Sequence, residues 1–144
     1  VIRHAGLIAR RSQGTWRGVL IEGPSGAGKS DLALRAMDHG FRLVADDRVL
    51  VWTSAGRLYG RAPDTIQGLI EVRGVGVLDA GALPFCEIVL ALRLGQSERM
   101  PEPATEAILG VALPLLAADP FEISAPAKLS RALEVFDAAH NKRI

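Results

Sequence analysis

The residues of this chain best equipped for chemistry form the run GPSGAGKS, from Gly23 through Pro24, Ser25, Gly26, Ala27, Gly28 and Lys29 to Ser30. It fills every fixed position of the phosphate-binding pattern G-x-x-x-x-G-K-[ST]. Glycines let the backbone turn tightly and aim its N–H groups inward, and a helix beginning at the end of the run adds a positive dipole end. In such a loop Lys29 pairs with the β- and γ-phosphates of a nucleotide, and the Ser30 hydroxyl ligates Mg2+. A glycine-rich turn that binds nothing is the competing reading, and the complete match disfavours it.

A second candidate is the doublet Asp46-Asp47. Carboxylates beside a phosphate site can hold Mg2+ or accept the proton of an attacking hydroxyl. Successive residues of an extended chain point to opposite sides, so only one of the two faces the phosphates unless the backbone turns. A polar turn between strands is the plain alternative. The third candidate is the segment 70–79, IEVRGVGVLD. Alternation there puts Glu71 and Arg73 on one face, where the carboxylate suits Mg2+ and the guanidinium suits phosphoryl charge. An exposed Glu and Arg on an edge strand would look the same.

The elements that must position these residues are short and mostly extended. Ile2 to Ala9 and Arg17 to Glu22 read as strands joined by a turn at Ser12-Gln13-Gly14, a hairpin that feeds the glycine loop. A helix follows over residues 31–39, and Gly40 is placed to end it. Phe41 to Ala45 reads as a strand. Val49 to Trp52 and Arg57 to Tyr59 form a second hairpin around Ser54-Ala55-Gly56, and Cys86 to Leu94 is another strand. Residues 95–106, with Pro101 and Pro103, read as a mobile loop. Leu129, Leu133 and Phe136 recur at helical spacing, which predicts a helix from Ala127 to His140. Its apolar stripe must either close the second face of the sheet or dock on a neighbouring subunit, and Lys142 and Arg143 suit the negative end of its dipole.

So many hairpins argue against a purely parallel sheet. The expected fold is an α/β phosphate-loop (P-loop) domain with a mixed, partly antiparallel sheet and few helices. No repeat or low-complexity linker divides the 144 residues, so residues 1–144 read as one domain. The 17 basic and 16 acidic side chains nearly cancel, which gives no sign of a nucleic-acid partner. The longest apolar stretch, Ile108 to Ala118, is too short for a membrane helix and contains Pro114, and the N-terminus lacks a secretory pattern. Cys86 is the single cysteine. A soluble protein of the reducing cytoplasm is the expectation.

Taken in order, GPSGAGKS, the segment Gly40 to Asp47 and IEVRGVGVLD resemble the catalytic domain of HPr kinase/phosphorylase, as does a histidine upstream of the loop, here His4. The resemblance covers residues 1 to about 93. It implies an ATP-dependent enzyme that phosphorylates a serine of the phosphocarrier protein HPr and can reverse this with inorganic phosphate. It also implies a phosphoenolpyruvate-carboxykinase-like fold, a hexameric homo-oligomer, and a short form made of the catalytic domain alone. Carried over residue by residue, it makes Lys29 the catalytic phosphate-binding lysine, Ser30 and Glu71 the Mg2+ ligands and His4 a catalytic-site histidine. Asp47 becomes the first choice for the base, with Asp46 close behind. An active-site arginine expected after the strand at 86–94 has Arg99 as its nearest candidate, beside Arg73, but the surrounding residues match poorly. At 124–129 the chain departs from a stretch associated with the reverse reaction. The rival readings are a nucleoside monophosphate kinase with a similar loop, and a non-catalytic ATP-binding regulatory module.

Overall fold

The computed structural model describes residues 1–136. They form ten strands and two α-helices: β1 (Ile2–Ser12), β2 (Thr15–Glu22), α1 (Lys29–Met37), β3 (Phe41–Ala45), β4 (Arg48–Ser54), β5 (Arg57–Arg61), β6 (Leu69–Val72), β7 (Gly76–Asp79), β8 (Cys86–Leu94), β9 (Ala104–Ile108), β10 (Val111–Ala118) and α2 (Ala125–Phe136). Eight strands share one mixed sheet, and β6 and β7 make a separate antiparallel pair.

Three hairpins are closed by two-residue turns in which both central residues have positive φ: Gln13-Gly14, Ala55-Gly56 and Leu109-Gly110. That conformation matches the twist of the flanking strands, and glycine at the second position makes it accessible. The first two hairpins are those the sequence predicts. The third lies in the apolar stretch 108–118, where no turn was expected, so β9 replaces the end of the expected 95–106 loop. Pro114 is accommodated within β10 opposite Thr105, one residue before the parallel ladder with β8 begins at Leu115.

β1 organises the sheet. One edge pairs with β2 from Ala5 to Ser12, while the other pairs with β4 at Ile2–His4 and with β3 at Leu7–Arg10. β3 and β4 are thus two halves of one bent strand lying against β1, and the bend is Asp46-Asp47. β2 also runs parallel to β8, which pairs with β5 and β10. Pairing therefore runs round a closed circuit through β2, β1, β4, β5 and β8. Gly60 is needed inside that circuit: a Cβ there would lie 2.8 Å from Leu7 Cδ2 and 2.9 Å from Val49 Cγ1.

Both faces of the sheet are buried. Leu7, Leu20, Val44, Val49, Leu58 and Ile88 fill one core, and their strand neighbours Ile8, Val19, Ile21, Leu43, Leu90 and Leu92 belong to a second. Burial on both faces explains the unbroken apolar runs of β1, β2 and β8. The second core also contains Leu32, Ala33 and Ala36 of α1 with Leu129 and Leu133 of α2. Its apolar stripe is thus met within the chain, on the same face as α1. That differs from both expected placements, because the sheet curls round the other core and leaves no open face there. The expected remainder of this helix, with Ala139, His140, Lys142 and Arg143, lies outside the described residues. Among the described residues, no helix is long and apolar enough to cross a membrane.

Candidate active site

The glycine loop leaves the C-terminal end of β2 and enters α1 directly. Gly28 has φ 104 and forms the N-cap of α1, a conformation that glycine reaches without a Cβ clash. Its carbonyl accepts from Leu32 N at 2.9 Å, and Ala27 N donates to Pro24 O at 3.0 Å. Lys29 folds back over the loop: its Nζ donates to Gly23 O at 2.7 Å and Pro24 O at 3.0 Å. A phosphate arriving in the loop would offer that ammonium a full negative charge in place of two neutral carbonyls.

Asp46 and Asp47 emerge at the same edge, where β3 stops beside the start of β1. Their environments are opposite. Asp46 is 8% exposed, accepts from Ser30 Oγ at 2.6 Å through Oδ1, and accepts from Glu71 N at 3.1 Å through Oδ2. One buried carboxylate therefore joins the loop, the β3 end and β6. Asp47 has φ 73, with Arg48 N donating across it to Asp46 O at 2.8 Å, the pattern of a γ-turn. Its own carbonyl accepts from Ala5 N at 3.1 Å. The side chain of Asp47 is 65% exposed and meets Arg48 at 3.5 Å. This turn breaks the alternation of an extended chain between the two residues.

His4 lies in β1 opposite Arg48, next to the Ala5 that holds Asp47, and Ala5 pairs on its other side with Glu22 at the root of the loop. The fold thus places His4 one residue along β1 from the Ala5 that links the loop root to the doublet. Glu71 reaches the site through its backbone, with its side chain exposed, and Arg73 occupies the exposed turn between β6 and β7. Arg99 is in the exposed segment before β9; among the described residues no hydrogen bond or ion pair joins it to the loop, the doublet or Glu71.

Below the loop lies a charged cluster that the sequence reading missed. Arg3 donates to Glu22 at 2.7 Å and to Glu106 at 2.9 Å, and Arg93 approaches Glu106 at 3.4 Å. The carboxyl of Glu106 is raised from 4.5 to about 7, first by its hydrogen bond with Glu22, then by burial and the Glu22 charge, against the lowering effect of Arg3 and Arg93. Glu22 Oε1 is buried with no hydrogen-bond partner among the described residues. Nothing local could have revealed this cluster, because Arg3 and Glu106 are 103 residues apart. Cys86 plays no part in the site: burial, helped by the Glu87 charge, pushes its thiol up to about 12.

The donor chemistry fits a hard divalent cation. Ser30 and Asp46 present oxygen atoms beside the loop, with Glu71 tied to them through its backbone N–H, and Mg2+ commonly takes only one or two protein ligands together with phosphate oxygens and water.

Comparison with known proteins shows the family of the chain. A family model described as the HPr serine kinase C-terminal domain matches residues 15–88, a stretch that includes the loop, the doublet, Glu71 and Arg73. An HPr kinase/phosphorylase of Limosilactobacillus reuteri (strain DSM 20016) is 36% identical over 143 residues, covering 88% of this chain and 42% of its own length. One of Brevibacillus brevis is 45% identical over 95 residues, 59% of this chain and 30% of its own. The chain spans less than half the length of these curated relatives. A solved structure, that of the Hpr(Ser) kinase/phosphatase from Coxiella burnetii, superposes with a TM-score of 0.77 at 26% identity, covering 93% of this chain and 94% of that one. With the family model spanning more than half of its residues, this chain belongs to the HPr serine kinase C-terminal domain family.

Proposed function

We propose that this protein is an ATP-dependent serine kinase acting on an HPr-type phosphocarrier protein, with reverse phosphorolysis at the same site. The observation that carries this reading is the Ser30 to Asp46 hydrogen bond of 2.6 Å, which couples the end of the glycine loop to the carboxylate doublet. The names of the relatives supply the acceptor and the reverse reaction.

In the forward direction ATP lies with its phosphates along residues 23–30. Lys29 exchanges its loop carbonyls for the β- and γ-phosphates. Asp46 holds Ser30 and the backbone of Glu71 in place, and its engagement leaves the exposed Asp47 as the base toward the acceptor. The acceptor serine Oγ attacks the γ-phosphorus as Asp47 takes its proton; the bond from that phosphorus to the β–γ bridging oxygen breaks, and ADP leaves. Ser30 and Glu71, with Asp46 alongside, would hold Mg2+, which neutralises phosphate charge when bound. His4 borders the acceptor side, and Arg73 or Arg99 would add positive charge when the acceptor docks. In reverse, inorganic phosphate attacks the phosphoserine, Asp47 returns the proton to the serine oxygen, and pyrophosphate is released.

The reading extends to a phosphoenolpyruvate-carboxykinase-like phosphate-loop fold, a cytoplasmic location and a homo-oligomer, hexameric in the family pattern. Transfer from labelled ATP to HPr tests the central claim. Asp47→Asn is expected to cut transfer by about 100- to 10,000-fold while ATP affinity holds. If Asp46→Asn alone produces that loss, the two roles are exchanged. Labelling of GMP in place of HPr by the unmodified protein would overturn the proposal.

A further inference from the structure

Behind the glycine loop the fold leaves a cleft of about 330 Å³, lined by Asp31, Arg35, Asp38 and His39 of α1 and by Phe121, Ile123 and Pro126. Its apolar wall is exposed: Phe121 is 70% and Ile123 96% accessible, although the backbone that carries them is fastened. Arg35 donates to the carbonyls of Pro120 and Glu122, the latter at 3.2 Å, and to Asp31 at 2.9 Å. Asp119 Oδ1 accepts from Phe121 N at 2.9 Å. The aromatic ring thus stands on a fixed segment with much of its surface unburied. It also abuts the loop, since a Cβ on Gly28 would lie 3.4 Å from Phe121 Cζ.

From Asp31 to Asp38 the cleft follows α1 for about 10 Å. It begins one residue after Ser30, so a nucleotide whose phosphates occupy residues 23–30 would direct its nucleoside into it. A flat base needs an aromatic or apolar face for stacking, and ribose hydroxyls need acceptors; Phe121 offers the first, and the carboxylates of Asp31 and Asp38 the second. The volume lies within the range of small-molecule sites. We propose that this cleft is the nucleoside seat, with the base of the bound nucleotide stacked on Phe121 and the ribose facing Asp31 and Asp38. The inference rests on the phosphate-loop reading above and adds the residues that recognise the part of ATP beyond its phosphates.

Calorimetry on the full chain with Mg2+, comparing ATP with inorganic tripolyphosphate, separates the two. Unmodified protein is expected to bind ATP more tightly than tripolyphosphate. Phe121→Ala should weaken ATP by about 10-fold, a typical loss for one stacked base, and leave tripolyphosphate within about twofold. Phe121→Trp should keep ATP affinity and show a change in indole fluorescence on ATP addition that tripolyphosphate does not produce. Equal affinity for the two ligands in the unmodified protein, or an equal loss of both in Phe121→Ala, would overturn the nucleoside seat and leave the phosphate loop standing. Unchanged ATP affinity in Phe121→Ala with weaker transfer to HPr would make the cleft a protein contact, which also overturns it. Failure of the unmodified protein to bind either ligand would remove both readings.

Discussion

On the floor of the site, β1, β2, β3 and α1 contribute Leu7, Ile8, Leu20, Ile21, Leu43 and Leu32, all essentially withdrawn from water; on its rim, the β6–β7 hairpin leaves Val75, Val77 and Leu78 exposed, and Arg73 sits in its turn. The floor holds the glycine loop and Asp46 in one arrangement, because every strand that delivers them is packed on both faces. The strand bearing Glu71 is tied to the loop side by the backbone hydrogen bond from Glu71 to Asp46 and by Ile70, which is buried in the core that α1 shares, while the turn with Arg73 and all of β7 stay exposed. Charge stabilisation depends on donors fixed in advance, which the floor supplies. Recognition of a protein acceptor needs accessible side chains, which the rim supplies. Under the function proposed above, the two regions would serve the two substrates of a phosphoryl transfer.

The contrast can be broken most severely at Lys29. Lys29→Ala should lower transfer by at least about 1,000-fold, since the ammonium acts on phosphate charge, while the thermal midpoint moves by only a few degrees because just two loop carbonyls lose a donor. Near-normal turnover would refute the loop assignment. The next effect is on stability. Leu20→Ala, fully buried on the floor, should cost about 2–5 kcal/mol in a urea titration, whereas Val77→Ala, 64% exposed on the rim, should stay within about 0.5 kcal/mol. Similar costs would mean that the hairpin is packed against something in solution.

The smallest effect is a pH dependence under the floor. Glu106 holds its proton up to about pH 7 in the folded chain, while an unfolded glutamate releases it near 4.5. Between those values the folded state binds more protons, so stability falls as pH rises through the window and the loss is complete above it. Glu106→Gln cannot release a proton, so its urea midpoint should decline less between pH 4.5 and 8 than that of the unmodified chain, by an amount equivalent to about 1–3 kcal/mol. Parallel pH curves for the two proteins would show that Glu22 and Glu106 share no proton.

The sequence alone determined the glycine loop, the helix that follows it and the hairpins at Gln13-Gly14 and Ala55-Gly56, because each is specified by neighbouring residues with particular backbone needs. The turn at Leu109-Gly110 has the same geometry, yet it escaped notice among apolar neighbours that gave no polar boundary. The doublet was legible as chemistry, but the division between a buried Asp46 and an exposed Asp47 was not. That division depends on β3 and β4 sharing one edge of β1 and on the bend that Ala5 fastens. The Glu22, Glu106 and Arg3 cluster and the seat beside Phe121 were decided by tertiary structure alone. Their members come from distant strands and a helix, and no local pattern encodes contacts that exist only after the sheet has closed.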